Sequence, residues 1–154
     1  MNETEKQKVE RLNESFKLFT QQPTHTSQLS QMKVIHLSEA ESTVTFELTL
    51  DSKHMLNYRG GLHGGLIATI IDDCTSWTFI GINNRTEHVS IDLSVSYVSA
   101  AKEGDTIWIV CKSKSVGRTL LFAEASLHLK TADGKRGKLL AFGKHTKFSV
   151  EARL

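Results

Sequence analysis

The sequence predicts an α+β domain in which an antiparallel sheet curls around one long central helix. Three observations lead there. Val89, Ile91, Leu93, Val95 and Tyr97 alternate without a break with His88, Ser90, Asp92, Ser94 and Ser96, the period of a half-buried strand. Leu62–Ile82 is apolar nearly all round, so as a helix it has to be enclosed by other elements. The four strand-like runs from His88 onward are joined by short links, which reads as an antiparallel meander.

The elements follow in chain order. Val9, Leu12, Phe16 and Phe19 recur at three- and four-residue intervals, a helical stripe over about 3–21 that Pro23 ends. Thr24–Gln31 reads as a polar loop. Val44, Phe46, Leu48 and Leu50 alternate with polar residues as a strand, with Met32–Leu37 belonging to it or to its partner and a turn near Ser38–Glu41. Asp51–Gly61 is a loop. The central helix Leu62–Ile82 follows, then strands His88–Tyr97, Thr106–Ser115, Thr119–Lys130 and Lys138–Phe148.

The chain has 154 residues, 39% apolar and 23% charged, which suits one domain over 1–154. Residues 1–22 form an N-terminal helical segment and 32–148 the core. One proline and ten glycines argue against disordered and low-complexity classes. Asp72 and Asp73 in the middle of the apolar segment argue against a membrane span. Cys74 and Cys111 are isolated, as expected of reduced buried thiols, and the opening Met1-Asn-Glu-Thr-Glu-Lys6 lacks an apolar leader. The expectation is a cytoplasmic protein, with the mitochondrial and peroxisomal matrix also open.

Two features of the central segment carry chemistry. Leu62-His63-Gly64-Gly65 opens the helix, where backbone N–H groups lack intrahelical acceptors and lie at the positive dipole end. Gly64 and Gly65 can aim those donors at a developing oxyanion, or they simply let the helix pack closely. Asp72 and Asp73 follow among Ile70, Ile71, Cys74 and Trp77. A carboxylate in an apolar cleft is what a general base requires; a solvated pair on an exposed stripe, or a helix-to-sheet hydrogen bond, is the structural alternative. Gly64 and Asp72 are separated by roughly 12 Å along a helix axis, too far to act on one carbonyl. If both act, the acid comes from one subunit and the glycine amides from another, in a homodimer with two composite sites.

The run Asn57-Tyr-Arg-Gly-Gly-Leu-His63-Gly64-Gly65-Leu-Ile-Ala-Thr-Ile-Ile-Asp72-Asp73, with Val89-Ser90-Ile-Asp-Leu after it, resembles the hotdog-fold acyl-CoA thioesterases of the PaaI-like branch. The likeness runs from about Asn57 to Lys147 and includes Gly104-Asp105, Gly117-Arg118 and Gly143-Lys-His-Thr-Lys147. It implies a five- or six-stranded sheet around one helix, in tetramers made of two hotdog dimers. It also implies Asp72 as the general base, or as a nucleophile, with Ser90 holding the water or the carboxylate. Gly64 N–H and Asn57 would bind the thioester oxygen, with His63 beside them. Tyr97-Val-Ser-Ala100-Ala101 departs from the family in lacking a proline.

The expected substrate is a fatty or aromatic acyl-CoA, hydrolysed to free acid and CoA with no metal and no cofactor. Residues 1–75 carry 7 basic and 10 acidic side chains, and 76–154 carry 12 and 7. That asymmetry suits the CoA phosphates, with Arg118, Lys144 and Lys147 as candidate surface ligands, Lys102 nearby and Gly65 also on the substrate. Trp77, Phe79 and residues 1–21 are candidates to line or cap an acyl tunnel. No zinc spacing, nucleophile elbow or nucleic-acid signature is present. Two rivals stand beside this reading: a non-catalytic acyl-CoA-binding or regulatory protein, and a hotdog enoyl-CoA hydratase or dehydratase.

Overall fold

The computed structural model describes residues 3–51 and 53–150. Two helices, α1 (Glu5–Thr20) and α2 (Gly64–Asn83), accompany six strands: β1 (Lys33–Ser38), β2 (Thr43–Thr49), β3 (His88–Tyr97), β4 (Thr106–Val116), β5 (Leu120–Lys130) and β6 (Arg136–Ser149). The strands make one antiparallel sheet in the order β1-β2-β4-β5-β6-β3.

This order corrects the expected meander. β4, β5 and β6 are hairpin neighbours, but β3 pairs with β6, with Ser90 opposite Lys147 and Leu93 opposite His145. The segment 98–105 therefore crosses the sheet end from one outer strand to a central one. Alternation identifies a strand; it does not say which strand it lies beside.

The sheet curls round α2. Val44, Phe46 and Leu48 of β2, Ile107 and Ile109 of β4, and Leu121 and Leu127 of β5 are buried, as are Ile70, Ile71 and Cys74 of α2. α2 is long and apolar enough to cross a membrane by composition, yet most of its apolar window is buried inside the fold. A Cβ on Gly143 would lie 2.5 Å from Ser94 O and 3.1 Å from Ile71 Cδ1, so β6 can approach both β3 and α2 there only with glycine.

The enclosure of α2 is incomplete, a second correction. Gly65, Ala68, Thr69, Asp72, Ser76, Ile80 and Asn83 are not buried, and their three- and four-residue spacing makes one stripe along the helix. Small and weakly polar residues hide this stripe in a sequence that otherwise reads as apolar on every side.

α1 begins at a capping box between Thr4 and Gln7. Its Phe16 and Phe19 meet the Trp77 ring edge-to-face, with centroids 5.4 and 5.7 Å away. Its Asn13 bonds Val34 N and Val34 O, which covers the β1 edge. The expected polar loop 24–31 contains a 3₁₀ turn, His25–Leu29, that buries Leu29. β3 is the opposite outer strand, and there Val89, Ile91 and Tyr97 stand more than half exposed. Cys74 and Cys111 are free buried thiols, and Cys74 lies 3.5 Å from the Met32 sulfur.

Candidate active site

α2, β3 and β6 meet at Asp72. The carboxylate stands on the open stripe of α2, 42% exposed, opposite the inward faces of the two strands. Lys147 Nζ donates to Asp72 Oδ1 at 3.0 Å and Ser90 Oγ donates to the same oxygen at 3.2 Å. His145 Nε2 is 3.6 Å from Oδ1. All three contacts fall on one oxygen.

Behind this oxygen runs a chain of polar groups. His145 Nε2 is 3.0 Å from Ser90 Oγ, and its Nδ1 is 2.6 Å from Thr75 Oγ1. Ser90 has one hydroxyl proton, and giving it to Asp72 requires the Nε2–H tautomer of His145. Nδ1 then competes with Ile71 O, 2.7 Å from the same hydroxyl oxygen, for the single Thr75 proton. Burial, and next the Lys147 charge, push His145 down to about 4, so the ring is neutral near pH 7.

Asp73 has a different environment. Burial and the neighbouring Asp72 charge raise its carboxyl to about 7, and Oδ2 lacks a hydrogen-bond partner among the described residues. Of the two aspartates, Asp72 is the one with a built shell and an opening.

The glycine turn lies at the other end of α2. His63 is its N-cap, and the His63 Nδ1 accepts from Gly65 N–H at 2.9 Å. This corrects the expectation that both glycines offer free donors: the Gly65 amide is occupied, and Gly64 N–H is the candidate that remains. An accepting Nδ1 places the proton of neutral His63 on Nε2.

Asn57 Oδ1 accepts from Arg59 N and Gly61 N at 2.9 and 3.2 Å, folding the loop in front of the turn. Its carbonyl is thereby engaged, so the side-chain amide is the end suited to a substrate oxygen. Tyr97 of β3 donates to Gly64 O at 3.2 Å, which ties the turn to the outer strand.

The candidate cations separate. Lys147, expected on the surface for a phosphate, is 4% exposed and held by Asp72 and Ser90, which corrects that expectation. Arg118 is exposed in the β4–β5 hairpin, and Lys144 lines a groove with Lys112, Arg136 and Phe142. Asp72 is held by Lys147 and Ser90, not by either of these two cations. Trp77 and Phe79 are buried, Trp77 against the rings of Phe16 and Phe19. His145 and Thr75 were missed as site residues. The signal for His145 was strand period: it shares an inward face with Gly143 and Lys147, whereas Lys144 points outward.

A family model described as the thioesterase superfamily matches residues 59–134. Acyl-coenzyme A thioesterase 13 of Mus musculus is 36% identical over 115 residues, 75% of this chain and 79% of that protein. The Homo sapiens protein of that name is 35% identical over the same shares. The solved structure of zebrafish thioesterase superfamily member 2 superposes with a TM-score of 0.81 at 31% identity, covering 92% of this chain and 97% of that one. Thioesterase superfamily member 2 from Mus musculus gives 0.79 at 29% identity, covering 91% and 96%. The chain belongs to the thioesterase superfamily, and its sheet around α2 is the hotdog fold. It is a thioester hydrolase.

Proposed function

We propose that this protein hydrolyses acyl-CoA to a free acid and CoA at composite sites formed by two copies of the chain. The observation that carries the reading is Asp72, a carboxylate anchored through one oxygen on the uncovered stripe of α2. The curated relatives named acyl-coenzyme A thioesterase support the substrate class.

Water held near Asp72 attacks the thioester carbon as the free carboxylate oxygen takes its proton. Ser90, which donates to Asp72, keeps that carboxylate oriented. Negative charge develops on the thioester oxygen, where the Gly64 N–H and Asn57 amide of the partner subunit stabilise it. The tetrahedral intermediate collapses by breaking the C–S bond; the departing CoA thiolate takes the proton that Asp72 carries, which restores the carboxylate, and His63 Nε2–H stands beside the oxyanion donors to steady the oxygen or sulfur. Asp72 acting as nucleophile would form an anhydride instead, and its position supports the water route equally through the same oxygen.

Two features favour a second copy as the supplier of the glycine turn. Eight residues of helix separate Gly64 from Asp72 within one chain, roughly 12 Å. The open stripe of α2 and the apolar outer face of β3, with Val89 and Ile91 exposed, adjoin the Asp72 cluster. A tetramer of two such dimers, with fatty or aromatic acyl groups as substrates, completes the proposal.

Thiol release from a panel of acyl-CoAs tests it. Wild type is expected to free CoA, and Asp72→Ala to lose about 10²–10³-fold or more in turnover with its fold retained. Wild-type turnover by Asp72→Ala would remove that residue from the mechanism.

A further inference from the structure

We propose that Lys147 is a positioning residue for the Asp72 carboxylate, pinning Oδ1 so that the second oxygen faces the cleft as the proton acceptor. The proposal rests on the hydrolytic reading above and adds a residue to it.

The geometry is specific. Lys147 Nζ lies 3.0 Å from Asp72 Oδ1 and 3.1 Å from Ser90 Oγ, a triangle that fixes both groups at once. The lysine side chain is 5% exposed while that of Asp72 is 42% exposed, so the cation stands behind the carboxylate and the opening lies in front. An ammonium has three donors and no acceptor, so it can hold a carboxylate without competing for the water's proton. Asp73 on α2 and neutral His145 on β6 both feel the Lys147 charge, and His145 also feels His88 and Asp92 of β3.

This placement excludes the phosphate role that the surface reading suggests. A buried cation engaged by a carboxylate of its own chain is not presented to a diphosphate. A carboxylate free to rotate would share its lone pairs between water and its neighbours, whereas one pinned on Oδ1 presents a single orientation.

The test compares Lys147→Met and Lys147→Arg with wild type, in steady-state thiol release and in thermal unfolding, and repeats Lys147→Met in an Asp72→Asn background. The expected result is a kcat about 10- to 100-fold lower for Lys147→Met with KM within about twofold of wild type. Lys147→Arg recovers part of the loss. In the Asp72→Asn background, where no carboxylate remains to be oriented, Lys147→Met adds nothing further. Should Lys147→Met fail to fold, Lys147→Gln takes its place in the same cycle.

A raised KM at unchanged kcat would overturn the proposal in favour of a substrate-binding cation. Losses that multiply in the double variant would overturn it in favour of a structural role. Full activity in Lys147→Met overturns it alone, because wild type remains active. A wild type that cleaves no acyl-CoA overturns the functional reading first and the positioning role with it.

Discussion

Ser90 and Lys147 face each other across the β3–β6 pair and converge on one oxygen of Asp72, at 3.2 and 3.0 Å. Neighbouring strands thus supply a hydroxyl and an ammonium to a carboxylate from the helix beneath. Removing the hydroxyl leaves the ammonium in place. Ser90→Ala is expected to lower kcat by about 10-fold, the worth of one hydrogen bond to a charged group, and to change KM little. Steady-state kinetics on the best acyl-CoA checks this.

Asp73 sets a pH-dependent stability. Its carboxyl is raised from 3.8 to about 7 in the fold, chiefly by burial. A raised folded value stabilises the protein fully below the unfolded value, and that stability is lost as pH rises towards about 7. Asp73→Asn removes the titration. Its stability relative to wild type should therefore climb between about pH 4 and 7, by on the order of 2–4 kcal/mol, and level off above. Urea midpoints of both proteins across that range measure the difference.

The His63 cap joins stability to activity. Its Nδ1 satisfies Gly65 N–H at the start of α2. His63→Ala is expected to destabilise the fold by about 1 kcal/mol, read by thermal unfolding, through loss of the cap. It should also lower turnover, because the loop bearing Gly64 N–H is no longer held.

The outer face of β3 is where a partner is expected. Ile91 is 56% exposed on the strand that carries Ser90. Ile91→Lys should shift the protein to monomers and reduce thioester cleavage together, while leaving the single-chain fold intact. Light scattering after size-exclusion chromatography reports the mass, and circular dichroism reports the fold.

Much of this arrangement was legible in the sequence, and the shortfalls have physical causes. Strict alternation through Val89–Tyr97 and the Gly104 and Gly134 turns, both at positive φ, marked the strands close to their ends. The pairing of β3 with β6 was not legible, because alternation says nothing about which strand lies alongside. The open stripe of α2 was hidden because Ala68, Gly65 and Ile80 do not look polar. The Asn57, His63, Gly64, Asp72 and Ser90 pattern was readable as a motif. Lys147 was misplaced among surface cations, although it lies an odd number of residues from outward-facing Lys144 and so on the opposite face. What burial would do to it depends on Asp72 and Ser90, which only the folded sheet brings beside it.

The central claim is that Asp72 of one subunit works with Asn57 and Gly64 of another. Mixing two inactive variants tests it most directly: Asp72→Ala and Asn57→Ala are each purified, unfolded together, refolded and assayed for CoA release. A heterodimer of these chains holds one intact composite site, so random reassociation should restore about a quarter of wild-type activity. Activity that stays at the level of the separate variants, in a mixture shown to contain heterodimers, would contradict the account.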